Sequence, residues 1–404
     1  MKQSNILIWD KGLTLENIGG PSGYLYNIYS YCQSHPQEKI KFYSDMIKTR
    51  KSDNGSNLKN KLKKIGLHYP SIVQKLKCLH NHLYQNLQLT NDEVLILNKF
   101  DYVHFHSFIQ ARAYLNDIKT KCSNIKIILT THTPEPYCDE YCNTVGIKWL
   151  IKIPFVRTLC IQKETKCFEM VDYIMFPVPE VIEVYSSKSL LYKDVLEKAK
   201  NKTFYVPTAI LDNVTPRFEN YLSKYYLKKS LRACYVGRHN EIKGYDFLKK
   251  IAQESWKREL NVTYLIGGSQ NGIASLNDPR WIELGWVNTI NLLQEVDLFI
   301  LPNKQTYYDL ILLEVIRAAK PVLLTRTGGN KHFLQYKCPG LLFCDYGNVS
   351  QACEQIKKII EYKNTGVLND FGMKNRDLFI KTSTVSIYIN NYLQEINNLN
   401  KINQ

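Results

Sequence analysis

In Tyr235-Val236-Gly237-Arg238-His239-Asn240-Glu241-Ile242-Lys243-Gly244, an apolar run ends at a glycine, an arginine follows at once, and a lysine comes five residues later. An arginine fork and a lysine point charge at one loop suit a diphosphate, whose charge must be neutralised when it departs as a leaving group. A solvated basic loop is the plainer alternative. In Leu310–Pro321 the single carboxylate Glu314 interrupts an otherwise apolar helix. A buried unpaired charge is costly, so Glu314 needs either the hydroxyls of a vicinal diol such as ribose or a salt bridge with Arg317, which would add a second charge to the same face. Gly19-Gly20-Pro21-Ser22-Gly23 stands between an apolar run and the helical stretch Tyr24–Tyr29. Glycines there either expose backbone N–H groups to a phosphate at a helix N-terminus or make a tight turn. The run is neither a Walker A sequence nor GxGxxG.

These segments need a scaffold that brings their loops together. Short apolar runs alternate with amphipathic stretches, the pattern of βαβ units and parallel sheets. Strands are expected at Ile6–Trp9, Ile40–Tyr43, Tyr102–Phe105, Ile125–Thr130, Tyr173–Phe176 and Phe204–Val206, then at Ala233–Val236, Thr263–Ile266, Leu298–Leu301, Val322–Leu324 and Leu341–Phe343. The seam falls near Val206-Pro207-Thr208. Several strands run straight into suggestive loops: Asp10 to Gly23, His104-Phe105-His106, Thr131-His132-Thr133, Gly237-Arg238, Gly267-Gly268 and Gly328-Gly329. Open α/β sheets bind ligands at the carboxyl ends of their strands, so two such sheets facing each other make a cleft. Domains are expected over 1–207 and 208–384. The tail, 385–404, has helical apolar spacing through Val385, Tyr388, Ile389, Tyr392, Leu393 and Ile396 and is expected to pack back on the first domain.

The chain has 404 residues, 44% hydrophobic and 22% charged, which excludes one small domain and a disordered chain. Its net charge of +16 favours anionic partners. Half of it lies between Lys48 and Lys77, where nine basic residues face Asp53 alone. With Leu62, Ile65 and Leu67 interleaved, that segment suits an anionic lipid surface or a solvated loop. Gly146–Phe155, containing Lys148, Trp149 and Lys152, is a second basic and aromatic patch. The run Ile6–Trp9 is too short for a signal sequence, and no apolar stretch approaches a membrane span. Eleven cysteines, an odd number, fit reduced thiols better than a disulfide scaffold. Cys138, Cys142, Cys160 and Cys167 could hold zinc, but no tight CxxC pair occurs and scattered thiols fit better. No zinc-finger, RRM-like or helix-turn-helix signature supports nucleic-acid binding.

Taken in order, Gly19–Gly23, His132, Gly237-Arg238 with Lys243-Gly244, Leu313-Glu314, Pro321-Val322 and Gly328-Gly329 resemble the retaining GT-B glycosyltransferases of glycosyltransferase family 4. The resemblance implies an α/β GT-B fold, two Rossmann-like domains facing across a cleft. It also implies transfer of a sugar, hexosyltransferase-like, from a nucleotide diphosphate sugar to a saccharide hydroxyl with retained configuration. Neither cofactor nor metal is implied. Gly19 and Gly20 would contact the donor diphosphate through their backbone, with Arg238 and Lys243 as its cationic clamp. Glu314 would hold the ribose, Trp286 and Val287 would frame the base, and Asp309 and Leu310 belong to the donor-binding set. His132 would lie beside the transferred sugar, and the leaving diphosphate would help deprotonate the acceptor. Many relatives act on lipid-linked saccharides in surface polysaccharide or lipopolysaccharide synthesis, so a cytoplasmic protein, peripheral on the inner membrane face, is expected.

One position departs from the family pattern. The motif's first glutamate, eight residues before Glu314, is Thr306 here, and Glu-Pro-Phe-Gly has become Thr306-Tyr307-Tyr308-Asp309. Asp309 is near enough to replace the lost carboxylate. The alternative is a non-catalytic nucleotide- or saccharide-binding protein with a degenerate site.

Overall fold

Two six-stranded parallel sheets organise the protein in this computed structural model, which describes residues 4–16, 20–36, 39–48, 71–212, 221–222, 230–269 and 273–402. The first sheet contains β1 (Ile6–Trp9), β2 (Ile40–Phe42), β3 (Tyr102–Phe105), β4 (Lys126–Leu129), β5 (Tyr173–Phe176) and β6 (Thr203–Tyr205), in the order β2-β1-β3-β4-β5-β6. The second contains β7 (Leu231–Val236), β8 (Val262–Gly267), β9 (Trp281–Gly285), β10 (Leu298–Leu301), β11 (Val322–Thr325) and β12 (Leu341–Cys344), in the order β12-β11-β10-β7-β8-β9.

Helices cover both faces of each sheet, which is why the strands read as continuous apolar runs. The period-two alternation of side chains divides each run between two cores. In the first sheet Leu7, Trp9, Val103, Phe105, Ile127 and Leu129 enter one cluster, while Ile6, Ile8, Tyr102, Ile128 and Met175 enter the other. The helix Val385–Ile402 completes that second cluster with Tyr388, Ile389, Tyr392, Ile396 and Leu399. Its far end is tied by the Tyr102 hydroxyl, which donates to Asn400 Oδ1 at 2.6 Å.

The chain crosses between the two halves twice, side by side. Ile210 N donates to Ser383 O at 3.1 Å, and Ile210 forms a parallel bridge with Thr384. Asn27 secures the first crossing by accepting from Leu211 N at 2.8 Å.

All eleven strands expected from the sequence are present, with ends displaced by at most two residues. β9 is additional. It is an edge strand exposing Glu283 and Gly285, and its pairing with β8 shifts register at Ile266/Gly267. An apolar-run criterion misses such a strand because only its first two residues, Trp281 and Ile282, are buried.

In both sheets the strand order reverses beside the first strand, at β1/β3 and at β7/β10. Loops leaving such neighbours diverge and leave a crevice. Among the described residues no helix is long and apolar enough to cross a membrane, and no group of three or more His, Cys, Asp or Glu could hold a metal. Residues 49–70 of the basic segment lie outside the described residues, as does Gly19; Lys75 and Lys77 sit on the helix Ile72–Tyr84.

Candidate active site

At the β7/β10 crevice the loop after Val236 carries both expected cations. The Tyr235 hydroxyl donates to Arg238 O at 2.7 Å, and Lys243 N donates to Asn240 Oδ1 at 3.0 Å, so the loop is fixed through its backbone. Gly244 then caps the next helix with φ +70°, and a Cβ there would lie 1.8 Å from Pro302 O. Only glycine allows this approach. It seats the loop after β7 directly on the loop after β10.

The two cations differ in state. The Arg238 side chain is exposed and has no hydrogen-bond or ion-pair partner among the described residues. Lys243 Nζ lies 2.6 Å from Asp309 Oδ1, with the two side chains 19% and 15% exposed. Asn303 Nδ2 donates to the other Asp309 oxygen. Asp309 therefore has both carboxylate oxygens engaged, one of them by a residue expected to meet the diphosphate.

Glu314 lies in the second turn of the helix Leu310–Arg317, and burial raises its pKa against the opposing effect of Arg317. The two form no salt bridge; Arg317 Nη1 donates instead to Leu211 O at 2.6 Å. The Glu314 carboxylate has no partner among the described residues, the state expected of a group reserved for a ligand's hydroxyls. Leu310, one turn earlier, packs against clusters of both halves. Trp286 is 85% exposed, whereas Val287 is buried against Gly267.

Across the cleft, His132 follows β4 in a left-handed conformation, φ 57°. Its ring centroid lies 4.4 Å from that of Tyr24, and its Nε2 is 2.9 Å from His106 Nδ1. Burial lowers the pKa of His132 to about 3 and that of His106 well below its ordinary value, so both are neutral. Gly20 opens the helix Gly20–Ser34 with φ 59°.

The altered loop Thr306–Asp309 joins the two sides. Tyr307 is 5% exposed and belongs to a core cluster of the first sheet, 6.1 Å from His132 and 6.3 Å from Phe176 between ring centroids. Thr306 is fully buried, and its hydroxyl has no hydrogen-bond partner. Gly328 lies so near that a Cβ would sit 1.9 Å from Thr306 O. Gln305 Nε2 reaches Val184 O at 3.2 Å, and Lys148 Nζ lies 3.9 Å from Glu241, closing the edges of the cleft.

A cavity of about 250 Å³ lies on the first-sheet side, lined by His106, Ser107, Thr131, Tyr137, Glu140 and Glu164 among others. Glu164 is fully buried; burial raises its pKa to about 7, although Tyr192 Oη and Tyr137 N donate to it. Sequence reasoning noted the loop containing His106 but did not place the residue in the site, and it missed Glu140 and Tyr307. His106 ends β3 much as His132 follows β4, a signal that pairing neighbouring strands would have provided. Glu140 carried none.

Residues 230–362 match the family model described as glycosyl transferases group 1, about the extent of the second sheet. No curated protein sequence matches the chain. Among solved structures, sucrose-phosphate synthase from Thermosynechococcus elongatus superposes with a TM-score of 0.64 at 11% identity, over 99% of this chain and 100% of that one. HepE of Anabaena in complex with UDP-glucose gives 0.59 at 11% identity, over 98% and 99%. A glycosyltransferase from Rickettsia africae gives 0.58 at 14% identity, over 98% of each chain. The fold is GT-B.

Proposed function

Taking as premise a GT-B fold whose second sheet carries a glycosyl transferases group 1 segment, we propose that this protein is a retaining glycosyltransferase. It moves a sugar from a nucleotide diphosphate sugar to a hydroxyl of a saccharide acceptor. The observation that carries this reading is the β7/β10 crevice, where unpartnered Arg238, Lys243 and unpartnered Glu314 converge. Cations there stabilise the departing diphosphate without a metal, and positioning supplies much of the remaining acceleration. The UDP-glucose complex of HepE supports a UDP-sugar as the first donor to try.

A thermal-shift screen of nucleotide sugars, followed by UDP release, tests it, because a ligand that binds only the folded state raises the melting temperature. Absence of stabilisation by every nucleotide sugar would refute it. A second reading, donor binding without turnover, is favoured by Thr306 in place of the family's glutamate and by the Lys243–Asp309 pair. Stabilisation without UDP release would establish it.

The acceptor is proposed to be lipid-linked, in surface polysaccharide such as lipopolysaccharide, with the protein cytoplasmic and peripheral on the inner membrane face. Exposed Trp149, Ile153 and Phe155 beside Lys148 and Lys152 support this, since apolar and basic side chains together favour an anionic interface. Flotation with vesicles containing phosphatidylglycerol, but not with phosphatidylcholine alone, is expected; equal behaviour with both would remove the membrane from the proposal.

A further inference from the structure

The cavity on the first-sheet side contains two polar groups that the fold leaves unused. His106 is 1% exposed and lines the cavity, and its Nε2 has no partner, although its Nδ1 meets His132. A buried ring nitrogen without a partner is costly unless something supplies one. Glu140, on the helix Tyr137–Thr144, also lines the cavity, and its carboxylate has no hydrogen-bond or ion-pair partner among the described residues. The other nearby acids are engaged: Glu135 by Lys188 and Asn143, and Glu164 by Tyr192 and Tyr137.

Glu140 lines the cavity, and Arg238 and Lys243 of the second sheet both act on its charge. A hydroxyl seated in the cavity therefore has Glu140 beside it, within the electrostatic reach of the two cations. The volume, about 250 Å³, is below the range of roughly 300–1,000 Å³ typical of drug-sized ligands and suits a small ring.

We propose that Glu140 is a catalytic residue of the transfer: its carboxylate accepts a hydrogen bond from the attacking acceptor hydroxyl and receives its proton. The inference rests on the glycosyltransferase reading and assigns to the protein the proton that the family resemblance leaves to the departing diphosphate. As the acceptor oxygen bonds to the anomeric carbon, the bond from that carbon to the diphosphate breaks. The leaving group keeps the electron pair and is neutralised by Arg238 and Lys243, while the acceptor proton passes to Glu140. His106 Nε2 hydrogen-bonds a second hydroxyl of the same ring. The groups facing Glu140 are Arg238 and Lys243 from the second sheet, Glu135 from its own loop, and His106, Tyr137, Tyr141 and Glu164 around the cavity.

Burial raises the pKa of Glu140, so activity falls on acidification at a pH above the ordinary glutamate range. The test uses the full chain, a panel of UDP-sugars and water as acceptor, read as UDP release, with UDP affinity measured separately by calorimetry. In Glu140→Gln, UDP affinity stays within twofold of wild type. UDP release falls by about 10²-fold or more and loses its acidic limb, and Glu140→Asp restores part of the rate. Wild-type UDP release by Glu140→Gln, or an unchanged acidic limb, would overturn the assignment while leaving the glycosyltransferase reading intact. Wild-type protein that binds UDP yet turns over no donor would refute both.

Discussion

The two walls of the cleft follow different electrostatic rules. Behind β3 and β4 the histidines are neutral and enclosed: His104, His106 and His132 all have pKa values lowered by burial, and the Tyr24 and Tyr388 hydroxyls share a hydrogen bond. Behind β7 and β10 the groups are charged and nearer to solvent: Arg238 is exposed and Lys243 is held by Asp309. Neutral donors and acceptors in a dry wall discriminate among hydroxyls, because an unmatched buried polar group is costly. Exposed cations capture a phosphate, whose charge they meet from outside. On the proposed function, the two parts of a sugar transfer fall to different walls.

The contrast is broken most strongly at Arg238. Replacement by alanine is expected to lower turnover by about 10²–10³-fold through lost leaving-group stabilisation, with the melting temperature little changed because the side chain is exposed and has no hydrogen-bond or ion-pair partner among the described residues. Steady-state UDP release checks this, and near-normal turnover would end the cationic-clamp mechanism.

Next is Tyr307, the side chain of the charged wall buried in the neutral one. Tyr307→Ala empties a core position and is expected to destabilise the protein by about 3 kcal/mol, measured by urea unfolding, whereas Tyr307→Phe should cost little. Equal stability of the alanine variant would show that the walls are not joined there.

The third prediction concerns pH. The histidines are neutral when folded and bind protons when unfolded, so stability falls as pH drops below about 6.5, by roughly 1.4 kcal/mol per pH unit for each histidine that stays neutral. Glu164 has the opposite sign: its pKa, raised to about 7, means that it stabilises the fold at low pH and loses that contribution as pH rises from about 4.5 to 7. In Glu164→Gln the acid loss should therefore become steeper across this window. Chemical denaturation from pH 4.5 to 8 would reveal it, and an unchanged slope would mean that Glu164 is ionised in the fold.

The smallest effect is expected at Asp309. Asp309→Asn releases Lys243 from its ion pair and should tighten UDP binding a few-fold at low salt, since partly exposed ion pairs contribute about 1 kcal/mol or less. Calorimetry decides. Weaker binding would instead support Asp309 as a donor contact, and no change would leave it with neither role.

Sequence reading reached the charged wall more fully than the neutral one, for a physical reason. Arg238, Lys243 and Glu314 sit beside a turn glycine or inside an apolar helix, so each is locally anomalous and visible in one dimension. His106 and Glu140 acquire meaning only when β3, β4 and the helix Tyr137–Thr144 converge, which requires the sheet order. The fold was legible where strands are buried on both faces, and β9 was lost because an edge strand tolerates Glu283. The Lys243–Asp309 pair spans two loops that only the close seating of Gly244 on Pro302 brings together.

The return of the last helix onto the first sheet sets an order of events during synthesis. Tyr388, Tyr392 and Leu399 share a cluster with Ile6, Ile8 and Tyr102, so one face of the first-made sheet, covered until then by Tyr24, Leu25 and Ile28 of the helix Gly20–Ser34, is completed only after the second sheet has been made. Domains generally fold as they emerge; here the second half is free to finish first, and the first half must wait for it with part of an apolar face open to water. A chain interrupted after the second sheet would therefore be an aggregation hazard as well as inactive.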